Sequence, residues 1–206
     1  MITFELATDT LKAARLIAAD GDIRYYLNGI YFDLRGARVV STDGHRMLIA
    51  DGARIDAEPF IMPNDHADNV LKACKGKNAP AVLTFTLDGS DWITVTVGEQ
   101  KFTAKKIDGI YPTYRQVIPQ SVSGDIAAIN LEYLADAQKA ISTFRGHRGK
   151  SVHPVRVFHN GKASAIVSDG QLGVMVIVMP IRYDGTTDAT EILKWAHGKL
   201  NLSQAA

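Results

Sequence analysis

The 206-residue chain contains a single cysteine, Cys74, so it cannot form an internal disulfide bond. So few cysteines are typical of proteins in a reducing compartment, and we expect a cytoplasmic protein. No apolar run approaches the roughly 20 residues that a membrane-spanning helix needs, so we expect no membrane contact. The first ten residues show no basic segment followed by an apolar core, which predicts the absence of a signal peptide.

The chain also lacks a surplus of charge, with 23 Lys and Arg residues against 22 Asp and Glu residues. Apolar residues make up 46% and charged residues 22%, which is ordinary for a soluble globular protein. Binding to nucleic acid would therefore depend on where the basic residues lie, because the total charge provides no attraction.

The sequence has no pattern typical of a catalytic or metal site. Its six histidines are scattered, and no pair has metal-ligand spacing on one predicted helix. Ser41, Asp43 and His45 stand near one strand end without a nucleophile elbow of the Gly-x-Ser-x-Gly type. The segment "GHRGKS" (146–151) has only two residues between its glycines, too few for a phosphate-binding loop. We expect no catalytic residue, no metal and no cofactor.

What is present is a regular alternation of helical and strand-like segments. Helical periodicity is strong over residues 8–19, 64–75 and 131–144. Asn64 or Asp65 is the expected N-cap of the second helix, and Asn130 that of the third. Short β-rich runs separated by glycine turns fill the intervals, which predicts antiparallel hairpins.

Each predicted helix follows one short strand, at residues 2–6, 59–62 and 127–129, and precedes about three more. The chain therefore predicts an α+β fold of three β-α-β-β-β units. The expected domains are a two-unit domain (1–120), a half domain of one unit (121–183), and a C-terminal helix with its tail (184–206). The apolar face of that last helix is expected to consist of Ile192, Leu193, Ala196 and Leu200.

One predicted strand ends on the unusual run Thr42-Asp43-Gly44-His45-Arg46. The simplest interpretation is a tight turn in which Gly44 supplies a positive φ angle. A binding site is the main alternative, and an enzyme active site is the weakest of the three.

Three motifs, in this order, resemble the bacterial DNA polymerase III β sliding clamp family. They are "RYYLNGIYFD…VVSTDGHRM" (24–47), "KKIDGIYPTYRQVIP" (105–119) and the closing "VMPIR" (178–182). The first two resemble the middle domain of that family, and residues 125–182 resemble the second half of its last domain. The resemblance covers about 180 residues. It does not include the family's first domain or the first half of the family's last domain.

The resemblance implies a DNA-clamp fold, with helices on one face and antiparallel sheets on the other. It implies a non-enzymatic processivity factor for DNA polymerase, which encircles double-stranded DNA without reading its sequence. Expected partners are a DNA polymerase, a clamp loader and further copies of the chain, in a bacterial cell or a virus-infected host cell. Three units per chain would need four chains for the family's twelve-unit ring, so a tetramer is expected rather than a dimer.

The resemblance also implies two sets of functional residues. The partner-peptide pocket would consist of Leu27, Thr42, Gly44, His45, Arg46, Met47, Pro112, Val117, Val178, Met179, Pro180, Ile181 and Arg182. The DNA-facing residues would be Lys12, Arg15, Arg24, Lys72, Lys75, Lys139, Arg145 and Arg148. Arg46 or Arg182 would be available to a peptide acid or carbonyl, whereas Gln116 stands where the family has a basic residue.

Two other functions remain open at this point. The chain could be a clamp mimic that forms no ring and captures clamp-binding partners in its pocket. An enzyme acting on nucleic acid is the third possibility, and it is disfavoured because clustered carboxylates and histidines are missing.

Overall fold

The structure, a computed structural model, describes residues 1–76, 79–147, 153–182 and 189–197. The helices are α1 (Thr8–Ile17), α2 (Asn64–Ala73), α3 (Leu131–Phe144) and α4 (Ala189–Ala196). The strands are β1 (Ile2–Ala7), β2 (Gly29–Asp33), β3 (Arg38–Thr42), β4 (Arg46–Asp51), β5 (Phe60–Pro63), β6 (Val82–Leu87), β7 (Trp92–Val97), β8 (Gln100–Lys105), β9 (Arg156–Phe158), β10 (Ala165–Ser168) and β11 (Val174–Val178). No helix within these ranges is long and apolar enough to cross a membrane.

The three predicted helices are present, and the first two end two residues earlier than expected. Asn130 caps α3 as predicted, because its Oδ1 accepts a hydrogen bond of 2.9 Å from the backbone N–H of Glu132. The prediction for α2 is wrong: Pro63 is the N-cap, and Asn64 is the first helical residue. The buried amide of Asn64 instead donates to the carbonyl of Ala19 at 2.6 Å, which joins α2 to the segment just after α1.

The first two units exchange their first strands. β1 pairs antiparallel with β6 of the second unit, and β5 pairs antiparallel with β2 of the first. The result is one sheet with the order β1-β6-β7-β8 and a second sheet that begins β5-β2-β3-β4. Neither unit completes its sheet alone, so the first two units depend on each other.

Four phenylalanines secure this exchange in the core. Phe4 lies opposite Phe85 with ring centroids 5.0 Å apart, and Phe60 lies opposite Phe32 at 4.6 Å. Phe32 and Phe85 join the two pairs at 5.3 Å. All four are at most 5% exposed. Such aromatic pairs contribute about 0.5–1.5 kcal/mol each beyond their burial, so the cluster stabilises both crossed strands at once.

The third unit has the predicted helix and meander, but its predicted first strand is not formed. Residues 127–129 are assigned no strand, although they precede α3 as β1 precedes α1. A first strand pairs in this fold with the second strand of a partner unit, and the described residues contain no fourth unit. The last strand of the third unit, β11, instead pairs antiparallel with β4 and extends the second sheet to seven strands.

The helices form a layer in which α1 lies between α2 and α3 and contacts both. Each of these helices packs on strands of its own unit, which gives the predicted arrangement of helices on one face and sheets on the other. The C-terminal helix is present as α4, with Ile192 and Leu193 more than half exposed. Leu200 and most of the predicted tail lie outside the described residues.

We predict that protonation of His66 destabilises the fold. This side chain is 5% exposed on α2, and its Nε2 has no hydrogen-bond partner among the described residues. Burial lowers the pKa of His66, so the unfolded chain binds this proton more tightly and stability falls as the pH drops through about 6.5. The test measures the free energy of unfolding in urea at pH 7.5 and at pH 5.5. Between these two pH values we expect the variant His66→Gln to lose less stability than the native chain, and the difference is at most ~1.4 kcal/mol per pH unit. Equal losses in both proteins would contradict this, and exposed His197→Gln is the matched control.

Candidate functional site

The run Thr42-Asp43-Gly44-His45-Arg46 is the turn between β3 and β4. Gly44 has a φ of +91°, a conformation that residues with a Cβ rarely adopt. The Thr42 hydroxyl donates to the carbonyl of Arg46 at 2.6 Å, and the Asp43 carboxylate accepts from the backbone N–H groups of His45 and Arg46, both at 2.9 Å. The tight-turn interpretation is therefore confirmed. Hydrogen bonds from the side chains of Thr42 and Asp43 hold the backbone of the turn.

The same turn is attached to the third unit. Met179, just after β11, donates its backbone N–H to the carbonyl of His45 at 2.8 Å. Arg46 forms ion pairs with Asp43 and with Asp136 of α3, and its guanidinium lies 5.1 Å from the ring centre of Tyr133. The turn thus closes the junction between the first and third units.

Aromatic residues from the second unit cover the outer face of this junction. Tyr111 and Tyr114 are at most 8% exposed and pack in a second apolar cluster with Met47 and Ile177. Tyr111 stacks on Tyr31 at 4.7 Å, and burial raises the pKa of Tyr111, which keeps it a neutral phenol. Residues from all three units therefore meet at one place.

A pocket of about 190 Å³ opens at this meeting point. Nine of the thirteen predicted pocket residues line it, and its walls are mainly apolar. The nine are Leu27, Thr42, Gly44, His45, Arg46, Met47, Pro112, Val117 and Met179. Five further lining residues were not predicted: Arg24, Tyr111, Thr113, Tyr114 and Ile177.

Four predicted residues do not line the pocket: Val178, Pro180, Ile181 and Arg182. Neighbouring residues of a strand face opposite sides, so Ile177 and Met179 share the pocket face, whereas Val178 points into the main core with no exposure. Strict alternation could have selected Ile177 and excluded Val178. Tyr111 and Tyr114 lie inside the motif of residues 105–119. Their large side chains were the feature of the sequence that could have identified them as pocket residues.

The charged groups at the pocket are largely paired within the chain. Arg46 is held by two carboxylates, so the expectation that it is free for a peptide acid is wrong. Arg24 lines the rim and donates to the carbonyl of Asp43 at 3.2 Å and to the carboxylate of Asp22 at 2.7 Å. Its hydrogen bonds lower the pKa of Asp22 to about 2. Arg182 is exposed outside the pocket.

Four of the eight residues expected to face DNA are paired with carboxylates, namely Lys12, Arg15, Arg24 and Arg145. Lys12 bonds Asp9 at 2.9 Å on its own helix, and Arg15 contacts Asp68 of α2 through two hydrogen bonds of 2.9 and 3.0 Å. Arg24 lies at the rim of the pocket, and its contact with DNA stays a prediction. Of the eight, Lys72, Lys75 and Lys139 are exposed and have no ion-pair partner among the described residues. Arg148 lies outside the described residues.

Arg145 has a structural role at the end of α3. Its guanidinium donates to the Asp169 carboxylate at 2.6 and 3.1 Å and to the carbonyls of Gln171 and Leu172. The Asp169 side chain is 2% exposed, and the hydrogen bond from Arg145 holds the pKa of that carboxyl well below its usual range. Arg145 therefore joins α3 to the turn that leads into β11.

The helices alone carry no surplus of positive charge. Helices α1, α2 and α3 together contain four basic and five acidic side chains. Among the residues that the structure describes, no three His, Cys, Asp or Glu side chains are grouped so that they could hold a metal ion.

Residues 3–113 match the family described as the DNA polymerase III beta subunit, central domain. The beta sliding clamp of Escherichia coli K12 is 32% identical over 158 residues, which are 72% of this chain and 42% of that protein. The beta sliding clamp of Proteus mirabilis is 26% identical over 194 residues, 89% of this chain and 51% of that protein. The chain thus spans about half or less of the length of these relatives.

Solved structures extend the likeness to the fold. The DNA polymerase III subunit beta of Pseudomonas aeruginosa matches with a TM-score of 0.68 and 21% identity, over 89% of this chain and 67% of that one. The beta subunit of Thermotoga maritima matches with a TM-score of 0.65 and 16% identity, over 89% and 66%. At this identity the match establishes the fold alone.

We predict that Arg145→Ala destabilises the protein, because it leaves the Asp169 carboxylate buried without its main partner. We expect a loss of about 2 kcal/mol in the free energy of unfolding, as measured by urea denaturation. Lys139→Ala, on the exposed side of the same helix, should change stability by less than about 0.5 kcal/mol. Equal stability of the two variants would argue against the structural role of Arg145.

Proposed function

The chain belongs to the DNA polymerase III β sliding clamp family, and we propose that it acts as a short sliding clamp. In this proposal several copies close into a ring around double-stranded DNA and increase the processivity of a DNA polymerase. The protein performs no chemistry itself; it holds the polymerase near its template. Partner proteins dock through an extended peptide in the pocket at the junction of the three units.

The observation that carries the proposal is the arrangement of α1, α2 and α3 in one layer on one face of the two sheets. In a closed ring built from such units, helices line the opening and continuous sheets form the outer wall. The β4–β11 pairing already joins two units edge to edge within one chain. Repetition of such edges between chains is a direct route to closure.

The charge distribution supports retention by enclosure rather than by tight binding. The helices have no net positive charge, and the unpaired Lys72, Lys75 and Lys139 provide few phosphate contacts. Weak contacts of this kind hold phosphates without reading bases and permit sliding. Topological closure would then be the main reason why the protein stays on DNA.

The unit count favours four copies in the ring. A twelve-unit ring needs four chains of three units, and a tetramer with perpendicular two-fold axes needs two kinds of self-pairing contact. The terminal strands of the two sheets within the described residues are β1 and β8 in one sheet and β5 and β9 in the other. The proposed contacts use two of these edges, β8 for one contact and β9 for the other.

The pocket fits an extended peptide with large apolar side chains. Its walls combine the aliphatic Leu27, Met47 and Met179 with Tyr111 and Tyr114, and buried apolar anchors supply most of the affinity of such contacts. Because its charged residues are paired internally, we propose that apolar anchors and backbone hydrogen bonds determine recognition. A DNA polymerase or a clamp loader is the proposed carrier of the peptide.

One observation favours a second candidate function. All pocket residues come from a single chain, so the pocket exists without a ring. A monomer could therefore bind clamp-binding peptides and sequester proteins that carry them. Such a mimic would bind peptide normally and would not remain on circular DNA.

We predict that the protein, once loaded on nicked circular DNA, stays bound at 0.3 M salt and is released when the circle is cut once. Closure holds a ring on a circle, whereas a linear end lets it slide off. Gel filtration of labelled protein with the DNA before and after cutting measures the release. Equal retention on both forms, or none on either, would contradict encirclement.

We predict that Met179→Ala weakens peptide binding about tenfold or more. The variant lacks an apolar side chain whose burial by the bound peptide contributes roughly 1.5–3 kcal/mol to the binding free energy. The measurement is fluorescence anisotropy with a labelled peptide of about six residues that carries Leu and Phe anchors. Ile181→Ala, two residues along the chain and outside the pocket, is the matched control and should bind normally. Equal affinity of both variants would locate the site elsewhere.

A further inference from the structure

The third unit retains a segment shaped like a first strand but has no strand to pair with it. We propose that a second copy of this chain supplies the pairing, and that the two copies exchange residues 127–129 across a two-fold axis. Each segment would pair with β9 of the other copy. This contact deepens the proposed ring, since it is one of the two self-pairing contacts that a tetramer requires.

The burial of residues 127–129 follows that of the paired first strands. Four residues before their helices, Phe4 and Phe60 are buried, and two residues later Leu6 and Met62 are buried as well. The corresponding residues before α3 are Ala127, which is buried, and Ile129, which packs against the main core. The inward face of a strand is therefore already in place.

The position of the segment relative to its own unit is also that of a first strand. The carbonyl of Ile61 in β5 accepts from the N–H of Ile107, shortly after the last strand of that unit, at 3.0 Å. At the corresponding place, the carbonyl of Ala128 accepts from the N–H of Ile181, shortly after β11, at 2.8 Å. The N–H of Ala127 donates to the imidazole Nδ1 of His159, at 3.4 Å. These two hydrogen bonds hold the segment, which is assigned to no strand.

The start of α3 shows what a partner unit would cover. The N–H of Thr8 donates to the carbonyl of Ala81, and that of Asn64 to the carbonyl of Asn28, so each helix start is closed by the opposite unit. Both residues are at most 5% exposed. Leu131, the corresponding first residue of α3, is 76% exposed. A large apolar side chain at this place indicates a surface that a partner buries.

Other exposed apolar residues lie beside the same edge. Ile126, just before the segment, is 88% exposed, and Phe158 at the end of β9 is 38% exposed. The outer edge of β9 has no strand neighbour among residues 153–182 or elsewhere in the described ranges. An unpaired edge flanked by apolar side chains favours strand addition, and identical surfaces on two copies favour a symmetric contact.

The exchange of β5 provides the expected register. Phe32 of β2 lies opposite Phe60 of β5. In the hairpin of β2 and β3, Phe32 is the next-to-last residue of β2 that pairs with β3. Val157 has the same place in β9 and packs against the core. Ala127 of one copy should therefore lie opposite Val157 of the other, and Ala128 opposite Arg156. Residues directly opposite in an antiparallel pair have Cβ atoms about 4.5–5.5 Å apart, close enough for a disulfide after a small adjustment.

The test mixes two full-length chains of different tag mass, one with Ala128→Cys and one with Arg156→Cys, without DNA. Under mild oxidation we expect at least about tenfold more mixed disulfide than with the control pair Ala128→Cys and Lys101→Cys, because contact raises the effective concentration. Lys101 is exposed on β8, a terminal strand of the other sheet. Equal yields for both pairs would overturn the exchange.

A second measurement uses the native chain. Amide hydrogen exchange at residues 127–129 and 155–157 should slow as the protein concentration rises, and rates independent of concentration would overturn the proposal. The two proposals fail separately. Cross-linking without retention on circular DNA would reject the clamp function alone, whereas retention without cross-linking would reject this contact alone.

Discussion

The pairing of each first strand with a neighbouring unit is the constraint on which the rest of the structure depends. β1 and β5 complete each other's sheets, and the stacked pairs Phe4–Phe85 and Phe32–Phe60 stabilise both crossings in one core. A unit of this kind cannot provide strand partners for the backbone groups along its own sheet edges. The first two units complete each other, and an odd third unit must use its remaining edges differently.

The third unit uses one of those edges within the chain. Its last strand, β11, pairs with β4 over five residues, and this junction brings Met179 beside the turn at Gly44. Tyr111 and Tyr114 then return from the second unit to cover the junction. The pocket is therefore a product of edge pairing, because no unit alone contains more than part of its wall.

Much of the fold could be predicted from the sequence because local signals agreed with one another. Periodicity, the Asn130 cap and the glycine turns identified the helices and hairpins, and nine pocket residues followed from three short motifs. Several of the failures share one physical cause, which is that partners distant in sequence decide the outcome. Residues 127–129 form no strand for want of a partner, and Arg15, Arg46 and Arg145 contact carboxylates from other elements. Such pairs cannot be recognised from charge counts along the chain.

The central claim is that this chain, with three units, assembles into a closed ring. The measurement that tests it most directly is a native mass spectrum of the protein at micromolar concentration. The account predicts one dominant tetramer, four times the 22.4 kDa mass of the chain. A monomer that persists at every concentration would contradict the ring, and the monomeric pocket would then point to capture of clamp-binding partners.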